Sequence, residues 1–481
     1  MFASSFSHSS KQAIGQCLIV MKKLCAIAFT VTLLCIMFAA CKSPEEQVDS
    51  SHPKEFISDS DSSSHSEVSA SNVENEDSET YSEVSASDIE NEDSETLWIV
   101  TNVGFENEQF GGEEDLRHVI EYFGGLPSGI DVNLEVLPME GADLHSRLTR
   151  IRTEIMAGEG PDVFLMMQPL TPDREMLFPI PQATMERHVF LPLDELRDSS
   201  EHIEWDKINP QILSAGQGSE GQMLLPMYYS LDMGVSGEAV DLPATWENAI
   251  SGNTPVLSQA YGSAFHFGRF RNLAFTDVAN YEKEAMTITE EKLGQRMKEA
   301  CSVPFDREND MARWSGDGTD IQEEEGTAFP LHNTQGGVTA QISGWLAVNI
   351  NTDHKKDALA LVDMMMSRKF LSMESFWDEG RAAMGTDIYL FPQIRWYGGI
   401  PVYDDFFDNG QTLVYIRGFS EEQLSLHHRT IQEISYVYIP TSIDMELWAL
   451  FNDCQAAEDE VEIDKLVSKC YSTMQMMLAE S

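Results

Sequence analysis

The chain is poor in positive charge. Its 481 residues include 31 Lys and Arg against 80 Asp and Glu, which gives a formal net charge of −49. A chain this acidic is repelled by nucleic acids and by anionic lipid surfaces, so we expect neither as a direct partner. The charge bears on solubility and on partners, and it does not select a fold.

Few cysteines lie beyond the first 41 residues. Of seven cysteines, four lie within the first 41 residues, which leaves Cys301, Cys454 and Cys470. No pair has the C-x-x-C spacing of a metal site. Cys454 and Cys470 are consistent with either a disulfide or two unpaired buried thiols.

Catalytic signatures are also missing. The sequence has no G-x-S-x-G, no H-E-x-x-H and no P-loop, and His427-His428 lies near no nucleophile motif. DGTD (317–320) resembles part of a calcium loop but lacks the ligand spacing. We therefore expect a protein that is not an enzyme and that holds no cofactor or metal. A surface glycosidase stays open as an alternative, because abundant carboxylates allow an acid pair that nothing here selects.

The N-terminal segment has the pattern of an export signal. "MKKLCAIAFTVTLLCIMFAAC" runs from Met21 to Cys41, with two lysines, a short uncharged apolar stretch and small residues before a cysteine. It resembles a bacterial lipoprotein signal peptide, which implies cleavage after residue 40 and lipidation of Cys41. Met21 is a candidate start, and a transmembrane anchor is the alternative.

A low-complexity segment follows, over 41–96. It contains a duplicated 15-residue motif, SEVSASNVENEDSET from Ser66 and SEVSASDIENEDSET from Ser82. With few apolar groups, burial cannot offset the entropy of ordering it. We interpret it as a disordered acidic tether that holds the following domain away from the membrane.

Alternating strand and helix patterns begin at residue 97. LWIVTNVGF is rich in strand formers, and EEDLRHVIEYFGG places Leu116, Val119, Ile120 and Phe123 at helical spacing before two glycines. IDVNLEVLPM alternates as a strand, ADLHSRLTRIRTEIMAG has one apolar helical face, and VFLMM is an apolar strand. This β-α-β-α-β order with short connections predicts a parallel, doubly wound sheet.

Five segments together resemble one family. They are RLTRIRTEIMAGEGPDVFLM, LPLDEL, EGQMLLPMYYSLDMGV, LPATWENAI and the return segment from Phe329 to Ser367. In this order they resemble the extracellular solute-binding proteins of ABC importers, in the carbohydrate-binding group that includes maltose-binding protein. The acidic stretch 303–328 fits no element of that family.

The resemblance implies an α/β, bilobal periplasmic-binding-protein-like type II fold, with two doubly wound lobes joined by a hinge. The expected segments are lobe 1 over 97–226, lobe 2 over 227–330, a lobe 1 return over 331–400, and a C-terminal helical segment over 401–481 that packs on lobe 2. Ligand then sits between the lobes and stabilises a closed form by touching both.

Candidate ligand residues follow from the needs of a sugar, which has apolar ring faces and hydroxyl rims. They lie at expected strand ends and cleft loops: Phe105, Glu106, Asn107, Gln168, Tyr228, Tyr229, Trp314 and Trp345. Of the two adjacent tyrosines, one is expected to face the cleft. A solvated turn is the alternative for Phe105, Glu106 and Asn107. Core packing is the alternative for Trp345, and it is the preferred interpretation for Trp377 and Trp396. Asp162, at the strand entry, is interpreted as a structural turn acid.

These features predict a monomeric, lipid-anchored extracellular solute-binding protein, whose partners are a small solute, with carbohydrate preferred, and an ABC transporter permease. The membrane contact is through the lipid anchor only. The alternatives are a surface module without transport, either a sensor partner or an adhesin, and a binder of another solute such as a polyamine or peptide.

Overall fold

The computed structural model describes residues 96–102, 112–138, 140–168, 175–238, 240, 244–252, 254–305, 312–315, 326–372, 399–408 and 420–480. The strands are β1 Thr96–Thr101, β2 Asp131–Val136, β3 Val163–Met167, β4 Gln217–Gly218, β5 Gly221–Gln222, β6 Leu224–Leu231, β7 Met233–Ser236, β8 Ala279–Asn280, β9 Ala285–Met286, β10 Ala312–Ser315, β11 Thr327–Pro330, β12 Val338–Val348, β13 Ile400–Pro401 and β14 Ile434–Tyr438. The helices are α1 Gly112–Tyr122, α2 Gly141–Ala157, α3 Pro181–Glu186, α4 Leu196–Ser199, α5 Pro210–Ser214, α6 Trp246–Ile250, α7 Pro255–His266, α8 Phe270–Leu273, α9 Glu290–Ser302, α10 Lys355–Met366, α11 Arg368–Ser372, α12 Glu421–Gln432, α13 Ser442–Ala456 and α14 Glu460–Glu480.

The largest sheet begins as a parallel unit. β1 pairs in parallel with β2 on one side and with β3 on the other, so that Ile99 stands opposite both Leu134 and Val163. All five residues of β3 are buried, as a central strand covered on both faces requires. The predicted β-α-β-α-β order and the α/β fold class are confirmed.

The loop between α2 and β3 is set by backbone physics. Gly158 ends α2 in the left-handed conformation, with φ of +85°, and its N–H bonds back to the carbonyls of Glu154 and Ile155. Asp162 then accepts a hydrogen bond from the Trp98 N–H at 2.7 Å and another from the Thr352 hydroxyl. Its carboxylate therefore joins the start of β1 to the loop after β12. Desolvation, only partly opposed by these bonds, raises the pKa of Asp162.

The eleven-residue strand β12 lies inside the large sheet, between β6 and β3, and every residue in it is buried. It pairs antiparallel with β3 and β6, and its first four residues pair in parallel with β14. At Gly344 a Cβ atom would lie 2.6 Å from the Met167 Sδ atom, so the close approach of β12 to β3 requires glycine there.

Two hydrophobic cores alternate along the chain. The first core draws on residues 97–231, 338–371, 400–407 and 431–439 and surrounds the large sheet. The second core draws mainly on 244–331 and 443–478, where helices surround the antiparallel sheet β10-β7-β11. Within the expected segment 401–481, the buried apolar residues of 402–407 and 431–439 belong to the first core, and those of α13 and α14 belong to the second. Among the described residues, the chain passes from the first core to the second near Asp232 and returns to the first core before β12. It passes to the second core again between β14 and α13.

Among the described residues, no helix is long and apolar enough to cross a membrane. Cys41, the signal segment and most of the tether lie outside the described part of the chain.

Candidate functional site

A pocket of about 200 Å³ lies between the two cores. The first-core side is formed by the end of β3, the middle of β12 and the end of β14. The second-core side is formed by the turn after α7 and the first turns of α13. The lining residues are Gln168, Gln341, Tyr438 and Pro440 on the first side, and His266, Phe267, Gly268, Arg269, Asp444, Met445 and Trp448 on the second. The pocket thus lies beyond the carboxyl end of β3, where open α/β sheets bind ligands.

Side-chain amides and a phenol form the floor of the pocket. The Tyr438 hydroxyl lies 2.6 Å from Asn272 Oδ1 and 3.0 Å from Gln341 Oε1. A phenol has one proton, so it donates to only one of these oxygens at a time. The amide nitrogens of Gln341 and Asn272 are buried and have no hydrogen-bond partner among the described residues. Gln341 therefore offers the pocket an amide group that the protein itself does not fully use.

A fully buried arginine stands behind this floor. Arg271 donates to the hydroxyls of Tyr281 and Tyr436 at 2.7 and 2.8 Å, and its guanidinium lies 4.9 Å from the centre of the Tyr438 ring. Asp444 Oδ2 is 3.8 Å from the guanidinium. Burial raises the pKa of Tyr281 to about 12 despite the nearby cation. The phenol of Tyr281 therefore stays protonated near neutral pH.

The carboxylate of Asp444 is held by its own helix end. Its Oδ2 atom accepts from the Thr441 N–H at 2.7 Å and from the Thr441 hydroxyl at 2.9 Å, which closes a capping box at the start of α13. Its Oδ1 atom is buried and has no hydrogen-bond partner among the described residues. The cap fixes Asp444 on the pocket wall.

A second buried ion pair fixes the opposite part of the wall. Arg269 Nε lies 2.7 Å from Asp232 Oδ1, and the Trp314 indole N–H donates to the same oxygen at 2.7 Å. Arg269 also donates to the Ser230 hydroxyl at 3.1 Å. Since Asp232 lies where β6 passes into β7, this cluster joins a crossing segment to the turn that carries Phe267.

Aromatic rings form the remaining wall. Phe267 is 59% exposed and stacks on Trp314, with 5.2 Å between ring centres. Half-buried Trp448 packs beside Gly268, whose φ of +76° turns the chain tightly after α7. Aromatic faces beside amide and carboxylate groups suit a small solute that has both apolar faces and hydrogen-bonding edges.

The residues predicted to bind ligand lie in different environments in the structure. Gln168 lines the pocket. Trp314 is half-buried and stacks on Phe267. Tyr228 and Tyr229 are 0% and 1% exposed in the first core, because β6 is covered on both faces, so neither ring reaches the pocket in this structure. Trp345 is buried against Phe178 and Phe190. Phe105, Glu106, Asn107, Trp377 and Trp396 lie outside the described residues.

A smaller cavity of about 30 Å³ adjoins the pocket and shares Gln168 and Pro440 with it. Trp345 and Asn102 are among its lining residues. Asn102 follows β1 and makes two hydrogen bonds of 2.7 Å with the Met167 backbone. These bonds hold the end of β1 beside the end of β3. The position of Asn102, directly after the first strand, is a sequence signal that would have identified it.

Sequence reasoning missed most of the second-core wall. Phe267, Arg269, Asp444 and Trp448 lie in segments without a recognisable ligand motif, and Gln341 lies within an apolar strand. One signal was present: YVYIPTSIDMELW places aromatic and acidic residues around a strand end and a helix start. Among the described residues, no group of three or more His, Cys, Asp or Glu side chains is placed to hold a metal ion.

Comparison with known proteins gives matches of fold only. No family model matches the sequence, and no curated protein matches it. Among solved structures, a de novo designed cysteine esterase matches with a TM-score of 0.51 at 12% identity, over 80% of this chain and 98% of its own. An extracellular solute-binding protein family 1 member from Alicyclobacillus acidocaldarius matches with a TM-score of 0.49 at 13% identity, over 79% and 98%.

The maltotriose-binding protein of Thermus thermophilus, solved with maltotriose, matches with a TM-score of 0.46 at 13% identity, over 79% of this chain and all of its own. At such identities a likeness concerns the fold alone. The strands and helices of the described residues themselves give the chain the mixed α/β fold that its sequence pattern predicted.

Proposed function

We propose that this protein is an extracellular solute-binding protein that captures a small polyhydroxylated solute, a sugar or oligosaccharide, between its two cores. The observation that carries the proposal is the pocket itself, which takes residues from both cores and combines Phe267 and Trp448 with Gln341 and Asp444. Sugars need both kinds of group, because their ring faces are apolar and their rims carry hydroxyls.

In this proposal the two cores are two lobes, and solute binding favours their closed arrangement. A ligand shifts such an equilibrium only by its difference in affinity for the two states, and a solute that touches both walls has that difference. Asp232 lies on a segment that passes between the cores. It is therefore a candidate for a residue that moves little during closure. The protein binds its solute without converting it.

The remaining parts of the proposal come from the sequence pattern. Lipidation of Cys41 anchors the protein outside the cell, the acidic tether extends it from the membrane, and an ABC transporter permease receives the loaded form. A surface module that does not deliver its solute is the alternative for this last step.

A thermal-shift panel tests the proposed binding. The purified full chain is heated with neutral mono- and oligosaccharides, polyamines and peptides in separate arms. A ligand present at about 100 times its Kd stabilises the folded state by about 2.7 kcal/mol, so a true solute raises the Tm measurably. A rise with saccharides alone supports the proposal. A rise with polyamines or peptides alone would mean that the solute belongs to that class and is not a saccharide. No rise in any arm, from a sample that melts cooperatively, contradicts solute binding.

A matched pair of tryptophan variants locates the binding site. Trp448→Ala removes a pocket wall, and Trp205→Ala makes the same chemical change at a half-buried site that contacts Ser200 and Arg197 instead. We expect the solute-dependent rise in Tm to be lost or strongly reduced in W448A and retained in W205A. The opposite pattern would place the site elsewhere.

A further inference from the structure

One long polar side chain interrupts the buried strand β12. Gln341 is 2% exposed and is paired with Ser230 of β6 on one side and with Tyr438 of β14 on the other. Its Oε1 atom lies 3.0 Å from the Tyr438 hydroxyl, whereas its amide nitrogen is buried and has no hydrogen-bond partner among the described residues. A buried N–H group without a partner costs free energy, so the stability of the fold does not explain this amide.

A second buried glutamine shows how an amide serves the fold. Gln222, at the end of β5, is 3% exposed, and its amide nitrogen donates to the backbone carbonyls of Leu213 and Leu224 at 2.9 and 2.6 Å. Gln341 has the same chemistry and similar burial, but its side chain lines the pocket between the cores. The difference in partners leaves the Gln341 amide nitrogen available to a solute.

Two further unpartnered atoms belong to the opposite wall. The Asp444 Oδ1 atom and the Trp448 indole nitrogen are buried and have no hydrogen-bond partner within the described part of the chain. Both side chains line the same pocket and come from α13 of the second core. The lining thus includes two N–H donors, from Gln341 and Trp448, and one carboxylate acceptor. Because a hydroxyl both accepts and donates, a solute with several hydroxyls can serve all three.

The charges of the pocket wall are balanced within the protein. Apart from the titratable ring of His266, the lining side chains that carry charge at neutral pH are those of Arg269 and Asp444. Arg269 is paired with buried Asp232 at 2.7 Å, and Asp444 lies 3.8 Å from buried Arg271. A charged solute would therefore lose its hydration in the pocket without meeting an unpaired countercharge, which costs free energy.

We infer that the pocket selects an uncharged, polyhydroxylated solute, and that Gln341 recognises it from the first core while Asp444 and Trp448 recognise it from the second. Gln341 donates its amide N–H to a solute oxygen, and Asp444 accepts from a solute hydroxyl. The inference rests on the proposed function, because it assigns recognition within the pocket proposed to bind the solute. It rejects uronic acids and polyamines, which the fold alone leaves open.

A matched pair of glutamine variants tests the role of Gln341 without any solute. Gln341→Met and Gln222→Met each replace a buried amide by an apolar chain of similar size. The Tm of Q341M should stay within about 1 °C of wild type or rise, because an unpartnered N–H is removed and Tyr438 keeps Asn272 as an acceptor. The Tm of Q222M should fall by about 2 °C or more, because two carbonyls lose their donor. An equal fall in both variants would overturn the inference.

The same variants then test recognition with named probes. Isothermal titration of the full chain at about pH 8, where histidine is ordinarily neutral, measures the Kd of glucose, galactose, mannose, maltose and cellobiose, and of glucuronate, galacturonate and spermidine. We expect wild type to bind at least one neutral saccharide, and to bind the charged probes at least about tenfold more weakly. Q341M should bind that saccharide about tenfold more weakly than wild type, whereas Q222M should bind it as wild type does.

The outcomes separate this inference from the proposed function. If Q341M binds the neutral saccharide as tightly as wild type, or if a uronate or spermidine binds as tightly as the neutral probes, the inference is wrong and solute binding stands. If cooperatively folded wild type binds none of the probes, both the proposed function and the inference are contradicted.

Discussion

Two buried charged side chains, one beside each core, have different kinds of partner. Beside the first core, Asp363 bonds to the backbone and accepts from the N–H groups of Glu201, His202 and Ile203. Beside the second core, Arg271 bonds to side chains and donates to the hydroxyls of Tyr281 and Tyr436. The first arrangement fixes loops, and the second forms a charged cluster behind the pocket.

This difference separates the residues that identify the fold from those suited to hold a solute. Asp162 belongs to the turn on which the family resemblance partly rests, and the structure uses its carboxylate to join β1 to the loop after β12. The pocket wall from the second core carries no recognisable motif.

The largest expected difference lies between two tryptophans. Trp345→Ala should lower the free energy of unfolding by about 3–5 kcal/mol, because it leaves a cavity in the first core. Trp448→Ala should lower it by about 1 kcal/mol, because Trp448 is only half-buried on the pocket wall. Urea unfolding of both variants measures this. Similar losses would mean that Trp448 is a core residue too.

The buried arginine gives the next largest effect. Arg271→Met should lower the free energy of unfolding by about 3 kcal/mol, because Asp444 and the phenols around it lose their cation. Arg150→Met is the matched control: Arg150 pairs with Glu135 and Glu154 at the surface, so its loss should cost less than about 1 kcal/mol. Equal losses in urea unfolding would mean that the buried Arg271 contributes no more to stability than a surface arginine.

Two glycines with similar backbone angles sharpen the comparison. Gly158→Ala and Gly268→Ala each force alanine into the left-handed region, at a cost of about 1 kcal/mol. No atom lies within 4 Å of a Cβ at Gly158, whereas a Cβ at Gly268 would lie 3.4 Å from Trp448. We expect only G268A to weaken the solute-dependent rise in Tm. If G158A also lost the rise in Tm, the turn at Gly158 would contribute to solute binding, contrary to this prediction.

The smallest effect is a pH dependence at Asp162. Burial raises the folded-state pKa of this carboxyl above its usual value of 3.8, so the folded state holds the proton more tightly than the unfolded state. Its contribution to stability is present below that value and is lost as pH rises through the folded-state pKa. The stability of wild type relative to Asp162→Asn should therefore fall with rising pH in urea unfolding. A difference that is constant or rises with pH would contradict this assignment.

Much of the first core was predictable because its signals are local. Apolar residues at spacing 3.6 or 2, glycines at a helix end and a proline after them specify α2, its end and β3 within one short stretch. The same kind of pattern predicted the parallel pairing of β1 with β2 and β3. The burial of Tyr228 and Trp345 could not be predicted from the sequence, because an aromatic residue in a strand suits a core and a pocket equally well.

By itself, the sequence determined the acidic charge, the export-signal pattern and the order of strands and helices in the first core, since each depends on composition or on neighbouring residues. The tertiary structure alone decided the composition of the pocket. Gln168, Phe267, Gln341 and Trp448 come from four distant parts of the chain and meet only where the two cores approach. Such contacts depend on how elements pack, and no local pattern encodes that packing.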